Sequence, residues 1–149
     1  IIHEPQQLNN LLFIMLFFFN NNQQSNEKKI MLNIMQIYIG IYYLFAALKK
    51  IPDDNWIDGS AVGLICSWTY LQKTNMLNEL CQNTYISIIL TYITLIFELS
   101  FLPISFTKYK KHLIIFGFLF HIGIGLSLHV GLFFWSMIMW YPLLLQRKI

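Results

Sequence analysis

The sequence predicts an all-α fold, a polytopic transmembrane helix bundle with one short re-entrant or interfacial helix. Three observations carry this reading. Apolar residues make up 56% of the 149 and charged residues only 11%, against about 45–50% and about 25% in soluble domains. Aromatic side chains reach 17%, more than so short a chain can hide, because small proteins bury the smallest share of their surface. The few charges also leave apolar runs of membrane-crossing length between them. Leu, Ile and Phe are too plentiful for disorder, and soluble enzymes, nucleic-acid binders and disulfide scaffolds fit this composition poorly. The net charge of +3 comes from loop lysines, and no basic stripe with spaced aromatics points to nucleic acid.

The elements follow from where the charges fall. An apolar piece at 11–19 (LLFIMLFFF), extended to 8–19, is too short to span by itself. The chain opens at Ile1 rather than Met, and an N-terminal portion is expected to precede it. Residues 30–48 carry no charge between Lys29 and Lys49, which is close to the roughly 20 residues a crossing helix needs. Residues 61–71 (AVGLICSWTYL) again fall short and read as re-entrant or surface-lying. Residues 86–106 form a second span, interrupted by Glu98 alone. After Lys111 come 35 uncharged residues before Arg147. As one helix these would be about 52 Å long at 1.5 Å per residue, against a hydrocarbon core of about 30 Å. That run must break, and Gly131 lies near its middle. It therefore reads as two helices, 112–130 and 132–146, the second kinked at Pro142. The whole chain, 1–149, reads as a single transmembrane domain.

Lysine placement sets the expected topology, since basic residues favour the cytoplasmic side. With Lys108, Lys110 and Lys111 inside, helix 112–130 leads out and 132–146 returns, so Arg147 and Lys148 also lie inside. Span 86–106 then starts outside, near Asn78 and Asn83. If 61–71 does not cross, Lys28 and Lys29 fall inside, while Lys49 and Lys50 break the rule and are followed by Asp53, Asp54 and Asp58. The expected location is a multi-pass position in a bacterial plasma membrane. Cys66 and Cys81 both lie outside in this arrangement, where a disulfide is permitted; two buried free thiols are the alternative.

Ionisable groups at membrane depth are expensive and mark candidate sites. Lys50 ends helix 30–48 and shares a face with Tyr43, seven residues earlier, beside the small Ala46 and Ala47. A desolvated lysine can act as a general base, with a tyrosine hydroxyl to hold it or a substrate; the alternative is a lysine that snorkels to the interface. Glu98 and His121 lie deep within their helices, with Gly123 and Gly125 leaving space near the histidine. They are expected to meet as a hydrogen-bonded pair, either for packing or for proton handling. His129 lies near the outer end, to join the chemistry or face headgroups, and His112 reads as a solvated helix start. Trp135, Met137, Met139 and Trp140 read as ordinary lipid-facing or packing residues. No HxxxH, CxxC or glycine-rich phosphate loop indicates a metal or nucleotide site.

The stretch from Tyr43 to Lys50 (YLFAALKK), followed by Trp56 and Gly59, resembles the Tyr-x-x-Ala-Gly-x-x-Lys…Trp-x-x-Gly signature of the HTTM superfamily, the horizontally transferred transmembrane group that includes vitamin K-dependent gamma-carboxylase. Further matches follow in order: Phe97-Glu98-Leu99, Pro103, a basic loop, Phe120-His121, and Gly131-Leu132-Phe133 ahead of a last helix. The resemblance runs from about residue 8 to 146 and is greatest to the small bacterial SdpB-type branch. It implies that Lys50 occupies the place of the carboxylase's base, which acts from the lumenal side, and it implies a part in maturing an exported peptide. Ala47 replaces the usual Gly, and His3 lies about two positions out of register with the carboxylase histidine. The large lumenal domain is absent, so glutamate carboxylation is not implied, and a quinone-type cofactor enters by analogy alone.

Two functions from different classes stay open. One is a membrane enzyme, or its membrane half, acting at the outer face on an exported peptide or a lipid-like quinone. Lys50 would be its base, Tyr43 and Trp56 would shape the site, and Glu98 with His121 would brace the bundle or pass protons. Its expected partners are membrane lipid, a secreted peptide precursor and a partner protein. The other is a non-catalytic scaffold or anchoring subunit of a larger membrane complex. A transporter fits less well, because no internal duplication is visible.

Overall fold

Long apolar runs in lipid must satisfy every backbone group internally, and helices do so within a single segment. The computed structural model describes residues 25–71, 73, 75–129 and 132–145. Among these it holds seven α-helices and no β-strand. They are α1 (Ser25–Lys50), α2 (Asp54–Ile57), α3 (Ala61–Ser67), α4 (Asn75–Gln82), α5 (Thr84–Ser105), α6 (Lys110–Ser127) and α7 (Leu132–Leu145), with a 3-10 turn at Thr69–Leu71 between α3 and α4. The apolar piece at 8–19, together with His3, Gly131 and the side chains of Met139 and Pro142, lies outside the described residues.

Three of these helices contain stretches long and apolar enough to cross a membrane: Leu32–Lys50, Thr84–Ile104 and Lys110–Ser127. The expected spans 30–48 and 86–106 fall on α1 and α5. α7, the expected fourth span, has 14 described residues, about 21 Å of helix. The chain is an all-α membrane bundle.

α1 packs most extensively against α5, and α6 against α7. The two helices of the first pair run antiparallel. Gln36 of α1 donates to the Ser105 backbone oxygen (2.6 Å) and to Ser105 Oγ (3.1 Å), Gly40 faces Leu102, and Tyr43 packs on Phe97 and Phe101. Each such bond between buried groups contributes on the order of 0.6–1.5 kcal/mol. Met35, Phe101 and Ile114 are completely or almost completely buried, with Trp140 and Leu144 beside them in the core. The starts of the helices show how local chemistry sets their ends. Asn83 caps α5 by accepting from the Tyr85 and Ile86 amides, and Asp53 caps α2 through the Asn55 amide.

The segment 61–71 forms a short helix and a turn that do not cross. α3 has 7 residues, about 10 Å, and its first amides need acceptors. α5 supplies them: Thr91 Oγ1 accepts from Val62 and Ser87 Oγ from Gly63. Both hydroxyls donate in turn to the Gly59 carbonyl at 3.0 Å. Gly59 itself adopts a φ of 85°, where a side chain is strained, and a Cβ there would press on Ile88. The chain then reverses into α4, and Cys66 and Cys81 form a disulfide across the hairpin, with a Cα–Cα distance of 6.3 Å. Of the two cysteine alternatives, the bonded one is present.

One expected boundary is corrected. α6 ends at Ser127 rather than at 130, and Leu128 is extended. The hairpin connection takes over the hydrogen bonding there: Lys73 N donates to Ser127 O and His129 N to Leu71 O. The Lys73 ammonium also donates to the Gly125 carbonyl (2.9 Å), where a cation suits the negative end of a helix.

Candidate functional site

Lys50 is the last residue of α1. Extending the α1–α5 register from Gln36–Ser105 through Tyr43–Phe97 places Lys50 level with about residue 91 of α5. Its ammonium nonetheless pairs with Glu98 Oε1, seven residues or about 10 Å further into the bundle. The lysine therefore reaches inward instead of snorkelling outward. Its nitrogen also lies 4.6 Å from the centre of the Trp56 ring, a cation–π contact. The Lys50 side chain is 24% exposed and that of Glu98 only 10%. Glu98 Oε2 is buried without a hydrogen-bond partner among the described residues.

The expected Glu98–His121 pair is not what forms. Apolar surroundings favour a carboxylate beside a full positive charge over one beside a neutral ring, and Lys50 supplies that charge from a helix end. His121 is bound elsewhere. Its Nδ1 lies 2.8 Å from the Gly117 carbonyl one turn earlier, and a carbonyl only accepts, so Nδ1 carries the proton. The same nitrogen lies 3.0 Å from the Tyr141 hydroxyl, and Tyr141 and Tyr43 hydroxyls are 2.8 Å apart. The Tyr43 hydroxyl lies 3.5 Å from His121 Nε2 and 3.8 Å from Met137 Sδ. This leaves the Nε2 lone pair on the Tyr43 side.

Tyr141 was not singled out by sequence reasoning. A tyrosine deep in an apolar helix must find a partner for its hydroxyl, and that was the available signal. Gly117 makes room for it: a Cβ there would stand 2.7 Å from the Tyr141 oxygen and 2.7 Å from Phe97 Cζ. Met137 packs in the core, as expected, and also borders the site cavity. Trp135 is exposed and Trp140 is core. Gly123 has open space before it, as expected, whereas Gly125 faces Phe134.

Lys50, Tyr43, Trp56, Glu98 and His121 all line one cavity of about 540 Å³, within the usual range for a small-ligand site. The rest of its wall is mainly apolar, and the Cys66–Cys81 bridge of the α3–α4 hairpin lies in it. His129 is exposed and does not line this cavity, and His112 is exposed at the start of α6. Among the described residues no cluster of three His, Cys, Asp or Glu side chains is placed to hold a metal ion. Chemically, the cavity offers an amine, a carboxylate with one open oxygen, and an imidazole lone pair beside a phenol, all within apolar walls.

Comparison with known proteins agrees with these features. Residues 10–148 match the HTTM domain. Over 98 residues the chain is 30% identical to the Sporulation-delaying protein SdpB of Bacillus subtilis (strain 168), covering 62% of this chain and 30% of that protein. The matched part thus spans less than a third of the relative's length. No solved structure matches. With the family match covering nearly the whole chain, this membrane protein belongs to the HTTM domain family.

Proposed function

We propose that the protein takes part in maturing or modifying an exported peptide at the outer face of a bacterial plasma membrane, with Lys50 as the base. The observation that carries this reading is the convergence of Lys50, Glu98, Tyr43 and His121 on one apolar-walled cavity. Disulfides persist in oxidising compartments, and the Cys66–Cys81 bridge lies at the cavity, which supports an outward-facing site. The exposed Lys108 and Lys111 at the other end of α6 support the same orientation. The peptide itself comes from the resemblance to the SdpB-type branch, and a partner protein would act together with this chain.

The roles follow from the contacts. Glu98 draws the Lys50 amine into the cavity and can take its proton, leaving the neutral amine that a base requires. Trp56 holds the ammonium form from the other side. Tyr43, kept in place by Tyr141, offers a hydroxyl to orient the substrate. His121 Nε2 accepts the Tyr43 proton when that hydroxyl gives one up.

Lys50→Ala and Lys50→Arg in the intact protein test the reading, in cells that make the peptide precursor. Peptide maturation is measured against membrane abundance. Arginine keeps the charge beside Glu98 but cannot act as a base, so Lys50→Arg is expected to reach normal abundance without maturation, whereas Lys50→Ala, which leaves the Glu98 carboxylate unpaired, is expected to lose maturation together with some abundance. Normal maturation in both would remove the catalytic role of Lys50. A fall confined to abundance would favour the scaffold.

A further inference from the structure

Building on the peptide reading above, we propose that the site cavity opens sideways into the outer leaflet alongside α6, where the precursor docks as a membrane helix. Toward the outer aqueous side the cavity is roofed by α2, α3 and α4, which are tied down on both sides. On the α5 side the Tyr92 hydroxyl donates to the Ile57 carbonyl (2.5 Å), and Ser87 and Thr91 hold Gly59, Val62 and Gly63. On the α6 side Leu71 and Lys73 are bonded to Gly125, Ser127 and His129. The Cys66–Cys81 bridge keeps the roof in one piece.

The wall at α6 is different. Successive helix residues turn by about 100°, so Gly123 stands roughly 160° around α6 from both His121 and Gly125, which are buried. It lies instead beside Leu119 and Leu126, 61% and 55% exposed, on the lipid face. Yet Gly123 lines the same cavity as His121, and Ile124, Phe120 and Ser127 line it on the flank between them. The cavity therefore passes around α6 from the core to the lipid face. Among the described residues nothing lies within 4 Å of a Cβ built on Gly123. From Lys110 to Gly123 the helix rises about 20 Å, beyond the midplane of a core about 30 Å thick. The opening thus meets the acyl chains of the outer leaflet.

A peptide in lipid must satisfy its backbone bonds internally, which makes it a helix. A helix is about 10 Å across with its side chains, too thick to enter whole a cavity of about 540 Å³. It stays at the opening and sends in one side chain. Gly123 and Ser127 suit such a neighbour, because small residues one turn apart let helices approach closely in lipid. The Ser127 hydroxyl is already given to the Gly123 carbonyl. Inside, Glu98 is 8% exposed and one of its oxygens has no hydrogen-bond partner among the described residues. A buried oxygen of this kind calls for a donor, which a side chain ending in N–H or O–H supplies and a lipid tail does not.

Two measurements keep the opening and its occupant apart. A nitroxide attached to Gly123→Cys, in the intact protein in phosphatidylglycerol vesicles, reads the opening alone. Dissolved oxygen, which partitions into lipid, should relax it strongly, and a water-soluble nickel chelate should not. A nickel effect as large as that of oxygen would place Gly123 in water and overturn the opening, whatever the fate of the peptide reading. A photo-reactive side chain at position 123, in cells that make the precursor, reads the occupant and should cross-link the precursor. Cross-linking to lipid alone, or to residues 1–24 of this chain, would overturn the docking even with the opening upheld. Gly123→Phe should lower maturation by roughly tenfold or more at unchanged membrane abundance, since the position has room for a ring. Ile96→Phe, at a site on α5 that is 65% exposed, should leave maturation as it is. Normal maturation in Gly123→Phe would remove the opening from the path of the substrate.

Discussion

At the Lys108 end of the bundle, Met35, Phe101, Ile114, Trp140 and Leu144 fill the space between helices, and Gln36 is bound to Ser105. At the Lys50 end the same helices enclose a cavity of about 540 Å³. Both ends use large apolar side chains, so hydrophobicity does not separate them. Shape and charge do. The closed end joins α1 to α5 through a neutral amide, whose partners lie directly opposite. The open end joins them through an ion pair that reaches about two turns along the axis. It also leaves one Glu98 oxygen without a partner among the described residues. Filling an apolar interior is the ordinary outcome, and an ionisable group held beside unfilled space is the mark of a site.

The largest effect is expected from breaking the open end's ion pair. Glu98→Ala leaves the Lys50 charge partly buried and unpaired, which costs about 3–5 kcal/mol for a fully buried pair. The partial exposure of Lys50 brings the expected loss to about 3 kcal/mol, read from thermal unfolding in detergent. The double variant Lys50→Met with Glu98→Met should recover most of that stability and none of the proposed maturation activity. A double variant as unstable as Glu98→Ala would show that the pair is not what joins the helices there.

Removing the hairpin's brace comes next. Replacing Cys66 and Cys81 together by alanine frees a 15-residue separation, worth about 3 kcal/mol at most by loop entropy. The effect should be local: limited proteolysis should cut between α3 and α4 in the variant and not in the parent. Equal resistance would show that the hydroxyls of Ser87 and Thr91 suffice to hold the hairpin. The smallest effect separates the two ends within α6 itself. Gly117→Ala crowds Phe97 and Tyr141 and should cost about 1–3 kcal/mol. Gly123→Ala, with nothing within 4 Å, should be neutral or gain up to about 1 kcal/mol from helix propensity. A reversed order would contradict the placement of the cavity.

Much of this was legible without coordinates. Charge spacing located α1, α5 and α6, because a run of apolar residues is a property of the chain itself. Tyr43, Lys50, Glu98 and His121 stood out because each is costly in lipid. The pairing among them was not legible. Glu98 was matched to His121 by depth alone, and depth does not tell which helix faces which. Tyr141 was missed because its hydroxyl lies in a run that reads equally well as lipid-facing surface.

By itself, the sequence determined the solvent of this chain, the helical class, its family signature and the few polar groups that need an explanation. Only the tertiary structure decided that Lys50 turns inward to Glu98, that Cys66 meets Cys81, and that Tyr141 joins Tyr43 to His121. The physical reason is that lipid-facing and helix-facing positions use the same side chains. Local composition therefore names the element, and the register between elements decides which of its faces becomes a wall, a core or a site.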